Sequence, residues 1–401
     1  MKRLPKSKDA LLERSEKHIF STGLNDGASR LSLANMRYGL AKIHHVQQQL
    51  GYEPNATFIT TPDETVSRNA VRWEAGFSYG GKLTWGSGHD KLMILDVKPN
   101  CCGMLVGGMN YLPSPKKVLK NIFNLQKASS FINDIEVKWD FYKGNHFIDV
   151  FKVEKTDSRM HLPKYAAILH AGNPEFKRAN THGAGLYWNL SPYLMKVSQK
   201  MKTPFGHLHV IQDQDAVEYQ KFYNIADDFA HKRRELAFKK LFPRGKVIVN
   251  ETHQGLLNYN EAILGANTTD GNRLLPVSIR ADLPSYLFKG HKNLTKHQIE
   301  LLGFQHRAEE FGLMKRLQNA NILPHGGGYT FPDTLTVDKI FTMHNKRYFQ
   351  IDMADSIGKK IVSNLTELQF AYRGREVIQR TLDLDLGEIK AVLHPVYTLK
   401  V

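Results

Sequence analysis

The residues best suited to chemistry gather around one apolar run, Ile94-Leu95-Asp96-Val97-Lys98-Pro99-Asn100-Cys101-Cys102-Gly103-Met104, which carries the only two cysteines of the 401-residue chain. A Gly-rich run, Gly86-Ser87-Gly88-His89-Asp90, comes just before it. A thiolate beside a carboxylate at the end of an apolar run can bind a metal ion, and glycines let the backbone close around one. Thiolate, carboxylate and imidazole together suit a borderline divalent ion such as Mn²⁺ or Zn²⁺. Adjacent thiols also pack as small hydrophobes behind a turn, so the run needs partners before it reads as a site.

Histidines supply them. The chain has 18, and four sit where an apolar stretch meets a small or polar residue. His146 lies in Gly144-Asn145-His146-Phe147-Ile148-Asp149, His170 in Ile168-Leu169-His170-Ala171-Gly172, His253 in Asn250-Glu251-Thr252-His253-Gln254, and His325 in Pro324-His325-Gly326-Gly327-Gly328. Each alone reads most simply as a hydrogen-bonded residue at a strand end. An imidazole is also a good nucleophile toward phosphorus when one nitrogen is free and the other is oriented, and the glycines after His325 would let backbone N–H groups approach a phosphate.

The elements that must position these groups are legible in outline. Hydrophobic residues make up 41% and charged residues 23%, which suits a globular chain with a sizeable core. No Ser/Gly/Pro-rich linker interrupts the sequence after residue 50, so we expect residues 1–50 to be a polar, partly helical lead-in and residues 51–401 to be one large domain. Short β-rich runs alternate with glycines between residues 56 and 109. Strands are expected at 164–170 and 246–250 and around Val210, with a hairpin-like region at 135–153. Helices are expected at 34–50, 114–133, 292–319 and, most clearly, 215–242. Asp213 and Asp215 would cap the last of these, and Phe222, Ile225, Ala226, Phe229, Leu236 and Leu241 would form its apolar stripe. Its other face would present His231-Lys232-Arg233-Arg234 to solvent or to RNA. No apolar run approaches the length of a membrane span, the N-terminus leads into no signal-peptide core, and unbridged cysteines suit a reducing compartment, so the expected location is the cytoplasm. A formal charge of +16 favours a polyanionic partner, RNA or DNA.

The order of these motifs resembles the RtcB family of RNA ligases, from about Thr61 to the C-terminus. Thr61-Pro62-Asp63, Cys102-Gly103-Met104, Gly144-Asn145-His146-Phe147, Leu169-His170-Ala171-Gly172 and His325-Gly326-Gly327-Gly328 look like segments of that family. So do Leu275-Pro276-Val277-Ser278, Ser285-Tyr286-Leu287-Phe288-Lys289-Gly290, Ala371-Tyr372-Arg373 and the closing Pro395 to Lys400. The resemblance implies an α+β fold, a single large RtcB-like domain with mixed β-sheets around a metal and nucleotide cleft and with peripheral helices. It implies two Mn²⁺ ions on Cys102, His146, His170, His253 and a carboxylate. The family has that carboxylate three residues before the cysteine, where this chain has Pro99, so Asp96 serves only if Lys98-Pro99-Asn100 holds an insertion. Cys101 could compete with Cys102.

The same resemblance makes His325 the residue that takes GMP from GTP, with His182 of Thr181-His182-Gly183-Ala184-Gly185 as a rival by spelling though not by position. Nucleotide contacts carry over to Asn145, Asp149, Ser278, Ser285, Gly327, Gly328, Tyr372 and Lys400. Two departures stand out: Ala262-Ile263-Leu264 replaces three polar residues, and the chain ends in Val401. The implied activity joins RNA ends bearing a 3′-phosphate or 2′,3′-cyclic phosphate to 5′-hydroxyl ends, and leaves room for an activating protein partner. Two other readings are an RNA-binding protein that keeps the metal pocket without ligating, and a metal-dependent cyclic phosphodiesterase.

Overall fold

The computed structural model describes residues 3–156, 160–344, 346–354 and 358–401, so Met1 and Lys2 of the expected lead-in lie outside the described residues. Helix and strand are interspersed along the chain in a mixed α+β arrangement. Eleven strands join one sheet, in the spatial order 19–20, 57–66, 78–84, 261–264, 246–258, 102–109, 165–171, 147–155, 387–399, 285–290 and 274–277. All neighbours are antiparallel except the first pair.

The central strand Cys102–Met109 is buried along its whole length. Its glycines are a packing requirement: a Cβ on Gly107 would sit 2.0 Å from the Phe238 ring. Phe238 belongs to the long helix Asp213–Leu241, whose buried Phe222, Ala226, Phe229, Ala230, Ala237, Phe238 and Leu241 recur at helical spacing and pack across the sheet.

That helix corrects three details. Gln212 rather than an aspartate stands at its N-cap, and Asp213 and Asp215 lie in the first turn, where they face the positive end of the helix dipole. Ile225 is exposed at 45%. Arg233 and Arg234, expected on a solvated face, are buried. Arg233 pairs with Asp140 and Glu175, while Arg234 donates to Asn250 Oδ1 at 2.7 Å and to the Cys101 carbonyl at 3.1 Å. Buried guanidiniums with such partners hold a helix onto a sheet and are withdrawn from solvent.

The first fifty residues are also more than a lead-in. Ile19–Phe20 pairs with the Thr57–Val66 strand, and the helix Gly27–Gln49 places Met36, Leu40, Ile43 and Val46 in a hydrophobic core shared with Phe58, Phe77 and Trp85. The stretch 292–319 is three short helices, Lys296–Leu301, Gln305–Glu310 and Met314–Gln318. Gly303 and Gly312, at φ +66° and +67°, end the first two in the left-handed conformation that stops a helix. No helix among the described residues is long and apolar enough to cross a membrane.

Candidate metal centre and the adjoining cavity

Four adjacent strands of the large sheet bring the expected ligands together. Cys102 opens its strand; His170 lies on the neighbouring Tyr165–Ala171 strand, opposite Met104 on one side and Phe147 on the other. His146 immediately precedes the strand beginning at Phe147. His253 sits at a register shift: Thr252 pairs with Gly103 and Gln254 with Cys102, so His253 is the extra residue of a bulge. A bulge breaks the alternation of faces and re-aims a side chain, and here it turns His253 into the group.

The Cys102 Sγ lies 3.1 Å from His170 Nε2 and 3.6 Å from His146 Nε2, and His170 Nε2 lies 3.2 Å from His253 Nε2. Cys102, His170 and His253 are all buried, with donor atoms within 4.8 Å of one another. These separations approximate the edges of a tetrahedron around one ion, since bonds of about 2.0–2.3 Å to nitrogen and sulfur place ligand atoms roughly 3.3–3.7 Å apart. The buried Cys–His–His group can therefore hold a metal ion. The second nitrogens support this: His170 Nδ1 donates to the Asn145 carbonyl at 3.0 Å, and His146 Nδ1 lies 3.1 Å from both the carbonyl and the Oδ2 of Asp140, so each ring points Nε2 at the thiolate. Asp140 is in turn held by Arg233, which also donates to Glu175 Oε1 at 3.0 Å and to the Gly172 carbonyl at 3.2 Å. Outer partners of this kind fix ring orientation and ligand basicity.

The electrostatics follow from this packing. Burial disfavours the Cys102 thiolate, but His170 and His146 outweigh it and hold the thiol well below its ordinary range. Burial likewise opposes charge on His146, yet the thiolate and Asp140 raise it to about 10. His253, with no carboxylate beside it, is lowered by burial to about 3 and is a neutral donor. Cys101 does not compete. It is fully buried, its thiol is pushed well up by burial, and it belongs to the core beside Tyr223.

Asp96 is not brought to this group. Its carboxylate accepts from the His209 backbone N–H at 2.6 Å and lies 3.3 Å from His209 Nδ1, because residues 95–97 form a single 3₁₀ turn packed on the strand 206–212. Among the described residues no Asp or Glu joins Cys102, His170 and His253. The donor set thus suits one ion, and a second ion would lack its carboxylate.

His325 is 1% exposed and its ring lies 4.7 Å from that of His253. Its Nδ1 donates to Asp63 Oδ2 at 2.7 Å, while Nε2 has no hydrogen-bond partner. Asp63 also accepts from the Gly326 N–H at 2.8 Å and the Thr61 hydroxyl at 2.6 Å. Although burial opposes its charge, the contact with His325 and these bonds hold its carboxyl below the usual range. Only glycine fits at 326, where φ is +107° and a Cβ would lie 2.4 Å from the Ser278 carbonyl oxygen. The loop N–H groups are less available than the sequence suggests: Gly326 donates to Asp63, and Gly328 donates to the Gly326 carbonyl at 3.0 Å.

His325 and His170 share a cavity of about 310 Å³ with Asn145, Asp149, Ser278, Gly327, Tyr372 and Lys400. Ser285 stands one step behind, its hydroxyl 3.0 Å from that of Ser278, and Gly328 does not line the wall. Lys400 donates to the Gly144 carbonyl at 2.6 Å, and burial raises Asp149 to about 6 despite the Thr398 hydroxyl and Lys400. The rival His182 lies elsewhere, in a surface turn bonded to Asp134 at 2.6 Å. Ala262, Ile263 and Leu264 are buried in the sheet between the strands 246–258 and 78–84. Asp63, Asp140 and Arg233 are the partners that spacing alone did not single out. Asp63 lies 262 residues from the histidine it orients, though its Thr-Pro-Asp segment was visible.

Comparison with protein families finds no family model that matches the chain, and comparison with curated protein sequences finds no match.

Proposed function

We propose that this chain is a divalent-metal-dependent RNA ligase of RtcB type, in which His325 takes GMP from GTP and passes it to an RNA 3′-phosphate. The observation that carries the reading is the state of His325: a buried imidazole with Nδ1–H held by a carboxylate and Nε2 unpartnered, lining a cavity beside a thiolate–imidazole group. In the first step the Nε2 lone pair attacks the α-phosphorus of GTP; a P–N bond forms, the α–β P–O bond breaks and pyrophosphate leaves. The ring becomes cationic as it is guanylylated, and the Asp63 carboxylate offsets that charge. GMP then passes to the 3′-phosphate oxygen with cleavage of the P–N bond. A 5′-hydroxyl oxygen attacks the activated phosphorus, loses its proton, and displaces GMP. A 2′,3′-cyclic phosphate would first be opened by water.

A divalent ion on Cys102, His146, His170 and His253 would neutralise phosphate charge at this end of the cavity. Mn²⁺ is the ion the resemblance implies. Asn145, Asp149, Ser278, Tyr372 and Lys400 would orient the nucleotide from the cavity wall. The missing carboxylate for a second ion favours one competing reading, a protein that binds RNA ends and a metal without ligating.

Labelled GTP with Mn²⁺ separates the two. An acid-labile, alkali-stable adduct is expected on the unmodified protein and on His182→Ala, and none on His325→Ala. Label persisting in His325→Ala would overturn the assignment, and no label on the unmodified protein would favour the non-ligating reading.

A further inference from the structure

At the rim of the cavity the short strands Tyr329–Thr330 and Ala371–Tyr372 pair, with Tyr329 opposite Tyr372. Their rings lie 5.4 Å apart at 32°, and Phe370 stands edge-on to Tyr329 at 5.1 Å. The Arg68 guanidinium lies 4.2 Å over the Phe370 ring and 5.4 Å from Tyr329. Arg68 is exposed and has no carboxylate partner among the described residues, and Phe370 and Tyr372 are 38% and 36% exposed. Tyr329 is half-buried against the core, but the exposed Phe370 and Tyr372 with an unpaired cation beside them are not explained by core packing.

We infer that Arg68, Tyr329, Phe370 and Tyr372 form a stacking platform for an unpaired nucleobase of the RNA strand whose end enters the cavity. This rests on the ligase reading of the same site. Tyr372 belongs both to the platform and to the cavity wall that holds His325, and Tyr329 follows His325 by four residues, so a strand with its terminal phosphate in the cavity passes over these rings. The platform is held in place: the Thr65 hydroxyl donates to the Tyr329 carbonyl at 2.8 Å, and the Arg373 N–H to the Gly328 carbonyl at 3.0 Å. Charge selects the occupant. An apolar protein segment would bury Arg68 without a counter-ion, whereas a polynucleotide offers both a π-face for the rings and a phosphate for the guanidinium. Every base has such a face, so the platform recognises single-stranded RNA without choosing its sequence.

The test uses the full chain and a fluorescent single-stranded RNA octamer ending in a 3′-phosphate, beside the same octamer with abasic riboses at its last three positions. Phe370→Ala and Arg68→Ala should each weaken binding of the ordinary octamer about tenfold. Phe370→Ala should leave the abasic octamer unchanged, and Arg68→Ala should weaken it less than the ordinary octamer, through the lost phosphate contact alone; both should leave GTP labelling of His325 unchanged, and Phe370→Trp should restore affinity. Ordinary binding by both alanine variants would overturn the platform while labelling leaves the ligase reading standing. Loss of GTP labelling in those variants would also overturn it, by assigning the face to the nucleotide. Absence of labelling in the unmodified protein, with the RNA effects intact, would sink the ligase reading alone.

Discussion

Asp63→Asn isolates the charge behind the proposed nucleophile. Asp63 Oδ2 accepts from both His325 Nδ1 and the Gly326 N–H, and Oδ1 accepts from the Thr61 hydroxyl. An asparagine can place its amide oxygen on the first pair and its NH₂ toward Thr61, whose hydroxyl also accepts, so the geometry and the tautomer survive. The negative charge does not. When Nε2 is guanylylated, the buried imidazole becomes a cation facing a neutral amide, and a charge-assisted bond drops to a neutral one. Hydrogen bonds to charged groups are worth about 1.5–3 kcal/mol against about 1 kcal/mol for neutral pairs. Water cannot compensate at a site this enclosed, which places the difference toward its upper end, about 1–2 kcal/mol. The expected outcome is an about 5- to 30-fold slower rate of adduct formation from labelled GTP, by roughly tenfold per 1.36 kcal/mol. GTP affinity and the thermal midpoint should change little, as measured by equilibrium binding and by melting. Guanylylation at the unmodified rate, in a variant shown to be folded, would refute the role given to Asp63.

Further tests address the metal, the cavity and the scaffold. Mass spectrometry of metal-loaded protein should find one divalent ion per chain. Cys102→Ser should weaken its binding by more than the roughly 10–100-fold that outer partners such as Asp140 contribute, while two tightly held ions would contradict the donor set. Asp149 is raised from 3.8 to about 6, so the folded state holds its proton more tightly than the unfolded chain does. Stability contributed by this group is present below about pH 4 and is lost as pH rises through 6, by about 3 kcal/mol in total. Asp149→Asn should flatten that part of the pH profile of denaturant unfolding, and an unchanged profile would show that another group governs it. Arg233→Ala removes the buried cation shared by Asp140 and Glu175, leaving Asp140 with His146 alone and Glu175 with only the Lys138 N–H, and should cost about 3–5 kcal/mol in urea unfolding; a loss under 1 kcal/mol would contradict the buried triad.

The sequence alone singled out the residues of the candidate site. Cys102, His146, His170, His253 and His325 each stand at a junction of an apolar run with a small or polar residue, and these junctions are where a sheet delivers side chains to one end. The long helix was legible for the same reason: its apolar spacing survives in the buried face from Phe222 to Leu241. What the sequence could not decide was which distant groups meet. Asp96 and Asp63 are both carboxylates near motif residues, but the 3₁₀ turn at 95–97 delivers Asp96 to His209, while packing of the strand Ile322–Pro324 against Thr57–Val66 brings His325 to Asp63. His253 enters the candidate metal group only because its strand bulges at that residue, a register event with no signature in local hydropathy. Arg233 and Arg234 show the limit most clearly. A run of basic residues on a helix reads as a solvated face, yet Asp140, Glu175, Asn250 and the Cys101 carbonyl satisfy these two in the interior. Local pattern records which groups are available, whereas burial of a charge depends on partners tens to hundreds of residues away, and only the tertiary structure supplies them.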